Sequence, residues 1–292
     1  MNSLTTYEPR ARRIELPARG GAMAVLDFGP PDRPVDVVFS HANGFNARTY
    51  RTILAPLAPR LRVLALDLRG HGGSTLPAVV EDHGGWNQYR DDLLALLAAE
   101  TEGPVVLAGH SMGATTCLLA AAVEPARVKA LALFDPVLFD HARAAREQSG
   151  DNPLAQGADR RRAVFPDKAA AAAAYTGRGA FRSWSPEQLA DYVEGGFRDT
   201  ADGQVTLSCA PAWEASNFRI HGYDAWAAIR AIRRPVRMLR AETGSTARID
   251  DNLEELAANP QLTVETVPGT THFLPMERPD IVRAVIGDLA GG

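Results

Sequence analysis

The chain has 292 residues, of which 46% are hydrophobic and 23% are charged, and this length suits one large α/β domain or one domain with an insertion. The formal net charge of −4 argues against nucleic acid as a partner. Residues 1–13 lack the apolar core of a signal peptide, and no run of about 18 apolar residues occurs, so we predict a cytoplasmic protein without a membrane partner. Two cysteines, Cys117 and Cys209, predict no disulfide framework.

The first part of the chain alternates between short apolar segments and helix-like ones. The predicted strands cover residues 12–16, 22–28, 35–40 and 61–66, and the predicted helices cover residues 50–57 and 86–100. Residues 35–40 and 61–66 are continuous apolar runs, which is typical of strands buried on both faces of a parallel sheet. The alternation indicates βαβ units, with an antiparallel edge formed by the first two strands.

Residues 105–113 join a predicted strand to a predicted helix through a G-x-S-x-G sequence centred on Ser111. Four apolar residues precede Gly109, and an alanine-rich run follows Gly113. This context is typical of a nucleophile elbow, in which a tight turn lifts a serine out of the sheet to where a histidine can take its proton. The two glycines leave room for the close backbone approach that such a turn requires.

The alternation of strands and helices stops after the strand predicted at residues 128–134 and resumes at residue 225. Between residues 138 and 224 we predict helical pieces at 167–175 and 186–194, no buried strand, and scattered aromatic residues that form a small core and line part of a pocket. The predicted elements that follow are helices at 225–232, 251–258 and 279–289, strands at 236–240 and 262–267, and a loop at 269–273.

Four sequence motifs follow four of the predicted strands. They are His41-Ala42-Asn43-Gly44-Phe45, Asp67-Leu68-Arg69-Gly70-His71-Gly72-Gly73-Ser74, Gly109-His110-Ser111-Met112-Gly113, and the stretch from Gly269 to Pro279. In order and spacing they resemble the α/β-hydrolase family from about residue 12 to 290, apart from residues 138–224. The resemblance implies an α/β fold with a mostly parallel central sheet flanked by helices. It also implies a core formed by residues 1–137 and 225–292, and an inserted helical cap formed by residues 138–224.

The motifs also carry the residues expected to perform the chemistry. Ser111 is the predicted nucleophile, and His272 lies in the loop where the base of such enzymes is found. An oxyanion hole needs two backbone N–H groups, and one is predicted to belong to Met112, the residue after the nucleophile. By resemblance the second belongs to Asn43, with Phe45 as the alternative donor, although an Asn-Gly pair is also typical of an ordinary turn.

Three further polar residues in these motifs are interpreted as structural. His41, Asp67 and His71 are predicted to order the loops in which they lie. His110 fills a variable position of the elbow. None of these four residues is predicted to be catalytic.

The acid that completes a Ser–His–acid triad is less clearly marked. Members of the family usually carry it shortly after the strand predicted at residues 236–240, but here that turn holds glycine and serine at the usual position. Asp135 is the favoured candidate, because some relatives, including certain dehalogenases and lactonases, place their acid at the end of the corresponding strand. Glu242 is the alternative, followed by Asp250 or Asp251. Chain order does not distinguish them, since all lie between the serine and the histidine.

The sequence thus predicts a serine hydrolase that cleaves carboxylic esters of small or medium apolar acyl or aryl groups through an acyl-enzyme. No metal or organic cofactor is predicted, because no Cys/His cluster has ligand spacing and the glycines match no dinucleotide fingerprint.

The family's dehalogenases and epoxide hydrolases use an aspartate at the elbow, so a serine argues against both. The alternatives are hydrolysis of a carbon–carbon bond in a diketone, a cofactor-free perhydrolase, and a ligand-binding receptor without turnover. The expected partner is a small ester, and no oligomeric state is indicated.

Overall fold

The computed structural model describes residues 8–139, 152–220 and 222–291. Its strands are β1 (Arg10–Leu16), β2 (Gly21–Phe28), β3 (Val37–Ser40), β4 (Val63–Leu66), β5 (Val105–His110), β6 (Val128–Phe134), β7 (Val164–Phe165), β8 (Phe197–Asp199), β9 (Val205–Leu207), β10 (Val236–Ala241) and β11 (Leu262–Val267). Eight of them form the central sheet in the order β1-β2-β4-β3-β5-β6-β10-β11. The strands from β4 to β11 in this order are parallel, and β1 and β2 form an antiparallel edge, as predicted.

Helices cover both faces of this sheet. The helices are α1 (Arg51–Leu54), α2 (Asn87–Glu100), α3 (Met112–Val123), α4 (Pro153–Asp159), α5 (Lys168–Tyr175), α6 (Pro186–Gly196), α7 (Pro211–Arg219), α8 (Ala225–Ala231), α9 (Leu253–Ala257), α10 (Leu274–Glu277) and α11 (Pro279–Gly291). Buried side chains of α2, α3 and α8 pack on one face, and those of α1 and α11 pack on the other. Every residue of β3, β4 and β5 is buried, which explains why these strands begin with continuous apolar sequences.

The helix predicted at residues 50–57 is only partly present. The structure has a 3₁₀ turn at Ala47–Tyr50, then the single helical turn of α1, then a second 3₁₀ turn at Ala55–Leu57. Pro56 lies in the second turn, and a proline has no N–H with which to continue an α-helical hydrogen-bond ladder. The proline explains why α1 does not continue past Leu54 as an α-helix.

Residues 152–220 form a separate layer of four helices, α4 to α7, and a three-stranded antiparallel sheet in the order β7-β9-β8. The helices predicted at 167–175 and 186–194 are present as α5 and α6. The prediction of no buried strand in this segment missed this small sheet. Its strands have only two or three residues each and are too short to show an alternating pattern. Residues 140–151 and 221 of the predicted cap lie outside the described residues.

Helix α6 attaches this layer to the core. The Arg51 guanidinium donates to Asp191 Oδ1 at 2.8 Å and to Glu187 Oε1 at 2.8 Å. The amide of Asn46 donates to the carbonyl oxygen of Tyr192 at 3.0 Å. These contacts join α6 to the segment that follows β3, at the carboxyl end of the parallel strands. No helix in the described ranges combines the length and the apolar sequence that a bilayer-spanning segment needs.

Candidate active site

Ser111 lies on a sharp turn between β5 and α3. Its backbone has a φ of 55° and a ψ of −121°, and such a conformation is strained for a residue that has a side chain. Gly113 permits the turn, because a Cβ atom there would lie 2.2 Å from the carbonyl oxygen of Ser40. A Cβ atom on Gly109 would lie 2.6 Å from the backbone of Gly113. The two glycines therefore provide the close backbone packing that the sequence predicts for a nucleophile elbow.

His272 lies in the loop that follows β11, opposite the elbow. Its Nε2 atom is 3.0 Å from Ser111 Oγ, which is close enough to accept the hydroxyl proton. Its Nδ1 atom is 2.6 Å from Asp135 Oδ2. The structure thus brings the predicted nucleophile, the predicted base and the favoured acid together in one hydrogen-bonded chain.

Asp135 follows β6 directly and has a backbone φ of 46°. Ser111 and Asp135 are the two non-glycine residues with positive φ in the described ranges. A positive φ costs on the order of 1–2 kcal/mol for a residue with a side chain and persists only where the surroundings enforce it. In the described ranges this kind of strain therefore occurs at two of the three residues that form the hydrogen-bonded chain, each directly after a strand.

The carboxylate of Asp135 is fully buried and accepts hydrogen bonds on both oxygens. Oδ1 accepts from the Ala241 N–H at 2.8 Å and from the Ser245 hydroxyl at 2.5 Å. Oδ2 accepts from the Thr246 N–H at 3.0 Å, in addition to its contact with His272. Burial alone raises the pKa of this carboxyl, but the hydrogen bond and charge of His272 and the other donors outweigh it, so its pKa lies below the usual value. Asp135 is therefore an ionised acceptor held in a fixed position.

The other acidic candidates are not brought to the base. Glu242 Oε2 accepts from the N–H of Gly269 at 2.9 Å, and among the described residues this glutamate makes no hydrogen bond to His272. Asp250 forms an ion pair with an arginine of β10 at 2.8 Å. The side chain of Asp251 lies outside what the structure describes.

The loop after β3 offers one N–H group for an oxyanion hole. The Phe45 N–H donates to the Ala42 carbonyl at 3.1 Å, which contradicts Phe45 as the alternative donor. The Asn43 N–H has no hydrogen-bond partner within the described ranges. His41 Nδ1 also contacts the Ala42 carbonyl oxygen, at 2.7 Å. In a trans peptide the N–H points opposite to the carbonyl, so the Asn43 N–H points away from His41. The N–H of Met112 is the first of α3, where no intrahelical partner exists.

His41, His71 and Asp67 order the loops around this site, as predicted. The Leu68 N–H donates to His41 Nε2 at 2.9 Å, and the Gly44 N–H donates to His71 Nε2 at 3.0 Å. Burial lowers the pKa of His41 well below its usual value and that of His71 to about 4. Both rings are therefore neutral at physiological pH, which leaves one nitrogen free to accept.

Sequence reasoning missed the residues that hold the acid. Ser245 and Thr246 donate to Asp135 from the turn in which the family usually carries the acid itself. From the sequence, this turn is distinguished only by its lack of an aspartate. The available sequence signal is a pair of features: an aspartate at the end of β6, and serine and threonine where the family usually has the acid. A buried carboxylate at the end of β6 needs hydrogen-bond donors, and the neighbouring turn is placed to supply them.

A cavity of about 210 Å³ opens in front of Ser111. The residues that line it are Ala42, Asn43, Phe45, Trp86, Ser111, Met112, Val137, Phe139, Leu154, Ala180, Glu214, Phe218, Thr246, His272 and Phe273. Asn43 and Met112 thus lie on the same cavity wall as the nucleophile. Within the described part of the wall, Glu214 is the one carboxylate, and there is no lysine or arginine. Its Oε2 atom accepts from Arg161, which is not part of the lining.

The chain matches the model of the "Alpha/beta hydrolase family" over residues 37–285. It therefore belongs to the α/β hydrolase family and is a hydrolase. It is similar to a 2-(acetamidomethylene)succinate hydrolase of Mesorhizobium japonicum, with 26% identity over 255 residues, which is 86% of each chain. It is also similar to an esterase of Mycobacterium tuberculosis, with 33% identity over 153 residues that cover 51% of this chain and 48% of the esterase.

Two solved structures have closely similar folds. A crystal structure of E-2-(acetamidomethylene)succinate hydrolase superposes with a TM-score of 0.76 at 23% identity, covering 97% of this chain and 100% of that one. A thioesterase domain from the curacin biosynthetic pathway gives a TM-score of 0.76 at 22% identity, with coverages of 95% and 98%. At these identities the likeness establishes the fold, which confirms the prediction from the sequence.

Proposed function

We propose that the protein is a serine hydrolase that cleaves carboxylic esters of small or medium, uncharged acyl or aryl groups. The observation that carries the proposal is the chain from Ser111 through His272 to Asp135, with contacts of 3.0 Å and 2.6 Å and a buried acid. The similarity to a mycobacterial esterase supports an ester as the substrate.

The proposed reaction passes through an acyl-enzyme. Ser111 Oγ attacks the ester carbonyl while His272 Nε2 takes its proton, and Asp135 stabilises the imidazolium that forms. The N–H groups of Met112 and Asn43 donate to the oxygen that becomes negative in the tetrahedral intermediate. The imidazolium then protonates the leaving alcohol, and a water deprotonated by the same ring releases the acid.

The charge of the cavity wall favours uncharged substrates. A carboxylate-bearing acyl group needs a cation to offset its desolvation, and the described wall offers none. Arg161, the nearby cation, already pairs with Glu214 and also donates to the hydroxyl of Tyr192 at 2.6 Å. Because the charge of Arg161 is already offset by Glu214, no net positive charge is left for an anionic group, so we expect dicarboxylates of the kind that the Mesorhizobium relative's name implies to be poor substrates.

The two main alternatives to ester hydrolysis are diketone hydrolysis and ligand binding without turnover. Hydrolysis of a diketone uses the same three residues, so it is distinguished by substrate alone. A receptor without turnover needs no ordered acid, and the four donors around Asp135 argue against it.

A substrate screen with a matched inactive variant tests the proposal. The panel contains p-nitrophenyl esters of rising acyl length, a lactone, a diketone and the half-ester of a dicarboxylic acid. We expect short and medium neutral esters to be hydrolysed fastest, and Ser111→Ala to lose about 10⁴-fold or more in kcat while keeping its melting temperature. Ester turnover by the variant within tenfold of the parent would exclude Ser111 as nucleophile. Labelling of the parent by a phosphonofluoridate separates an enzyme from a receptor, because only an activated serine reacts.

A further inference from the structure

His110, the last residue of β5, is fully buried beside the nucleophile and contacts two separate loops. Its Nε2 atom is 2.7 Å from the backbone carbonyl oxygen of His272. Its Nδ1 atom is 2.8 Å from the hydroxyl oxygen of Tyr50. The same hydroxyl oxygen accepts a hydrogen bond from the N–H of Ala42 at 3.2 Å. One side chain therefore links the loop of the proposed base with the loop that carries Asn43.

These partners determine where the proton of His110 lies. A carbonyl oxygen can only accept, so the Nε2 atom must carry the hydrogen that it donates to His272. The Tyr50 hydroxyl already accepts from Ala42, and its own hydrogen is free to donate to Nδ1. The hydrogen bonds thus run in one direction, from the Ala42 N–H through Tyr50 and His110 to the His272 carbonyl.

A neutral ring is required at this position. The ring centroids of His110 and His272 are 5.0 Å apart, and the base becomes positively charged during catalysis. Burial and the nearby His272 lower the pKa of His110 to about 3. His110 therefore adds no second positive charge beside the imidazolium.

We propose that His110 is a positioning residue, which holds the backbone of His272, and through Tyr50 that of Ala42, in a fixed position relative to Ser111. This inference rests on the proposed serine-hydrolase function. An apolar side chain would fill the same buried site without desolvating two ring nitrogens, so packing alone does not require a histidine. The bond to the His272 carbonyl is made by the residue adjacent to the nucleophile, and small displacements between nucleophile and base are costly.

A matched pair of amide substitutions isolates the bond to His272. The amide nitrogen of His110→Gln reaches as far from the backbone as Nε2 does and keeps the donor to the carbonyl. His110→Asn carries the same amide but reaches only as far as Nδ1, so the carbonyl loses its donor. We measure kcat and KM with the best ester, and count active sites by phosphonofluoridate titration so that unfolded protein does not contribute.

We expect His110→Asn to lower kcat per titrated site by roughly 10- to 100-fold with KM changed by less than about threefold. His110→Gln should recover at least about tenfold of that loss. A merely structural role would lower the melting temperature of both variants and leave kcat per site unchanged. A kcat per site for His110→Asn within about threefold of the parent overturns the proposal, as does an equal loss in the two variants.

The second-order rate of phosphonofluoridate labelling provides a readout that needs no ester. If the parent is labelled but hydrolyses no ester, the proposed substrate class fails, while labelling rates that fall from parent to His110→Gln to His110→Asn still support positioning. Equal labelling rates overturn it. If His110→Asn does not fold, Tyr50→Phe removes the donor to Nδ1, and we expect it to slow labelling by about three- to tenfold. An unchanged rate in Tyr50→Phe then counts against the proposal.

Discussion

The loops that follow β6 and β10 begin side by side at the same edge of the sheet, but they carry different groups. The loop after β6 provides Asp135, whose carboxylate contacts Nδ1 of His272. The last residue of β10, Ala241, provides an N–H group, and the loop after β10 provides the Thr246 N–H and the Ser245 hydroxyl; all three donate to that carboxylate. The family usually carries the acid on the second of these loops, so in this chain the carboxylate lies on the neighbouring loop, and hydrogen-bond donors occupy the usual position.

The acid can lie on the first loop because β6 and β10 are neighbours in the sheet. β6 and β10 are hydrogen-bonded in parallel, and the Asp135 N–H donates to the carbonyl of Leu239 at 2.7 Å. Beyond the strands, the Leu138 N–H donates to the carbonyl of Thr246 at 3.1 Å. We therefore expect that a carboxylate at either strand end can reach the same position beside His272.

Removing the charge from the first loop should have the largest effect. Asp135→Asn keeps the size of the side chain but favours the wrong tautomer of His272 and leaves the imidazolium without its partner. We expect kcat to fall by roughly 10³- to 10⁴-fold with little change in KM. Steady-state kinetics on the best ester measures this, with circular dichroism as the check on folding. A loss below about tenfold would show that Asp135 is not the acid.

Moving the acid to the second loop should restore part of that loss. Thr246 Oγ1 lies 3.4 Å from His272 Nδ1, so a carboxylate at this position can approach the ring. In the Asp135→Asn background we expect Thr246→Asp to raise kcat by roughly 10- to 100-fold. Thr246→Asn in the same background is the matched control, because it has the same size without the charge. Equal recovery by the two variants would contradict the idea that either loop can supply the acid.

Removing one of the donors to Asp135 should have a smaller effect on turnover. Ser245→Ala removes the hydroxyl that donates to Asp135 Oδ1 at 2.5 Å, so the pKa of the carboxyl should rise toward its usual value. We expect kcat at neutral pH to fall by about three- to tenfold, since the carboxylate stays ionised but less firmly held.

The same variant should change how stability depends on pH. The pKa of Asp135 is lowered in the folded protein, so its contribution is complete above the unfolded value of about 3.9 and is lost as the pH falls through the folded value. As the pH rises toward about 4, the parent should therefore gain more stability than Ser245→Ala, measured by urea unfolding at a series of pH values. Parallel curves for the two proteins would mean that Ser245 does not hold the charge.

A glutamate of the second loop should matter least. Glu242 accepts from the Gly269 N–H at 2.9 Å, and a glutamine oxygen can accept the same bond. We expect Glu242→Gln to change kcat/KM by less than about threefold. A loss comparable to that of Asp135→Asn would move the acid to Glu242.

The core of the fold could be predicted because its signals are local. β6 and β11 have the bounds predicted from the sequence, and the turn at Ser111 follows from the glycines around it. The small sheet of β7, β8 and β9 could not be predicted, since a strand of two residues such as Val164–Phe165 has no periodicity. Such a strand forms only because another segment of the chain pairs with it.

The residues of the candidate site could be named from the sequence, but their geometry could not. Ser111 and His272 stand in motifs, whereas Asp135 was one of several carboxylates at strand ends. Which of them reaches Nδ1 depends on the order of strands in the sheet, which is a tertiary property. The roles of Ser245 and Tyr50 depend on contacts between residues 110 and 60 positions apart in the chain, and no local pattern marks such contacts.

The positive φ angle of Ser111 sets a limit on improving this protein by selection. At this position glycine would relieve backbone strain of about 1 kcal/mol or more, and it would also delete the proposed nucleophile. Selection for heat resistance alone would therefore tolerate inactive variants at Ser111. Asp135 differs, because its strained backbone is offset by the hydrogen bonds of its buried carboxylate, and glycine there would leave those donors unpaired.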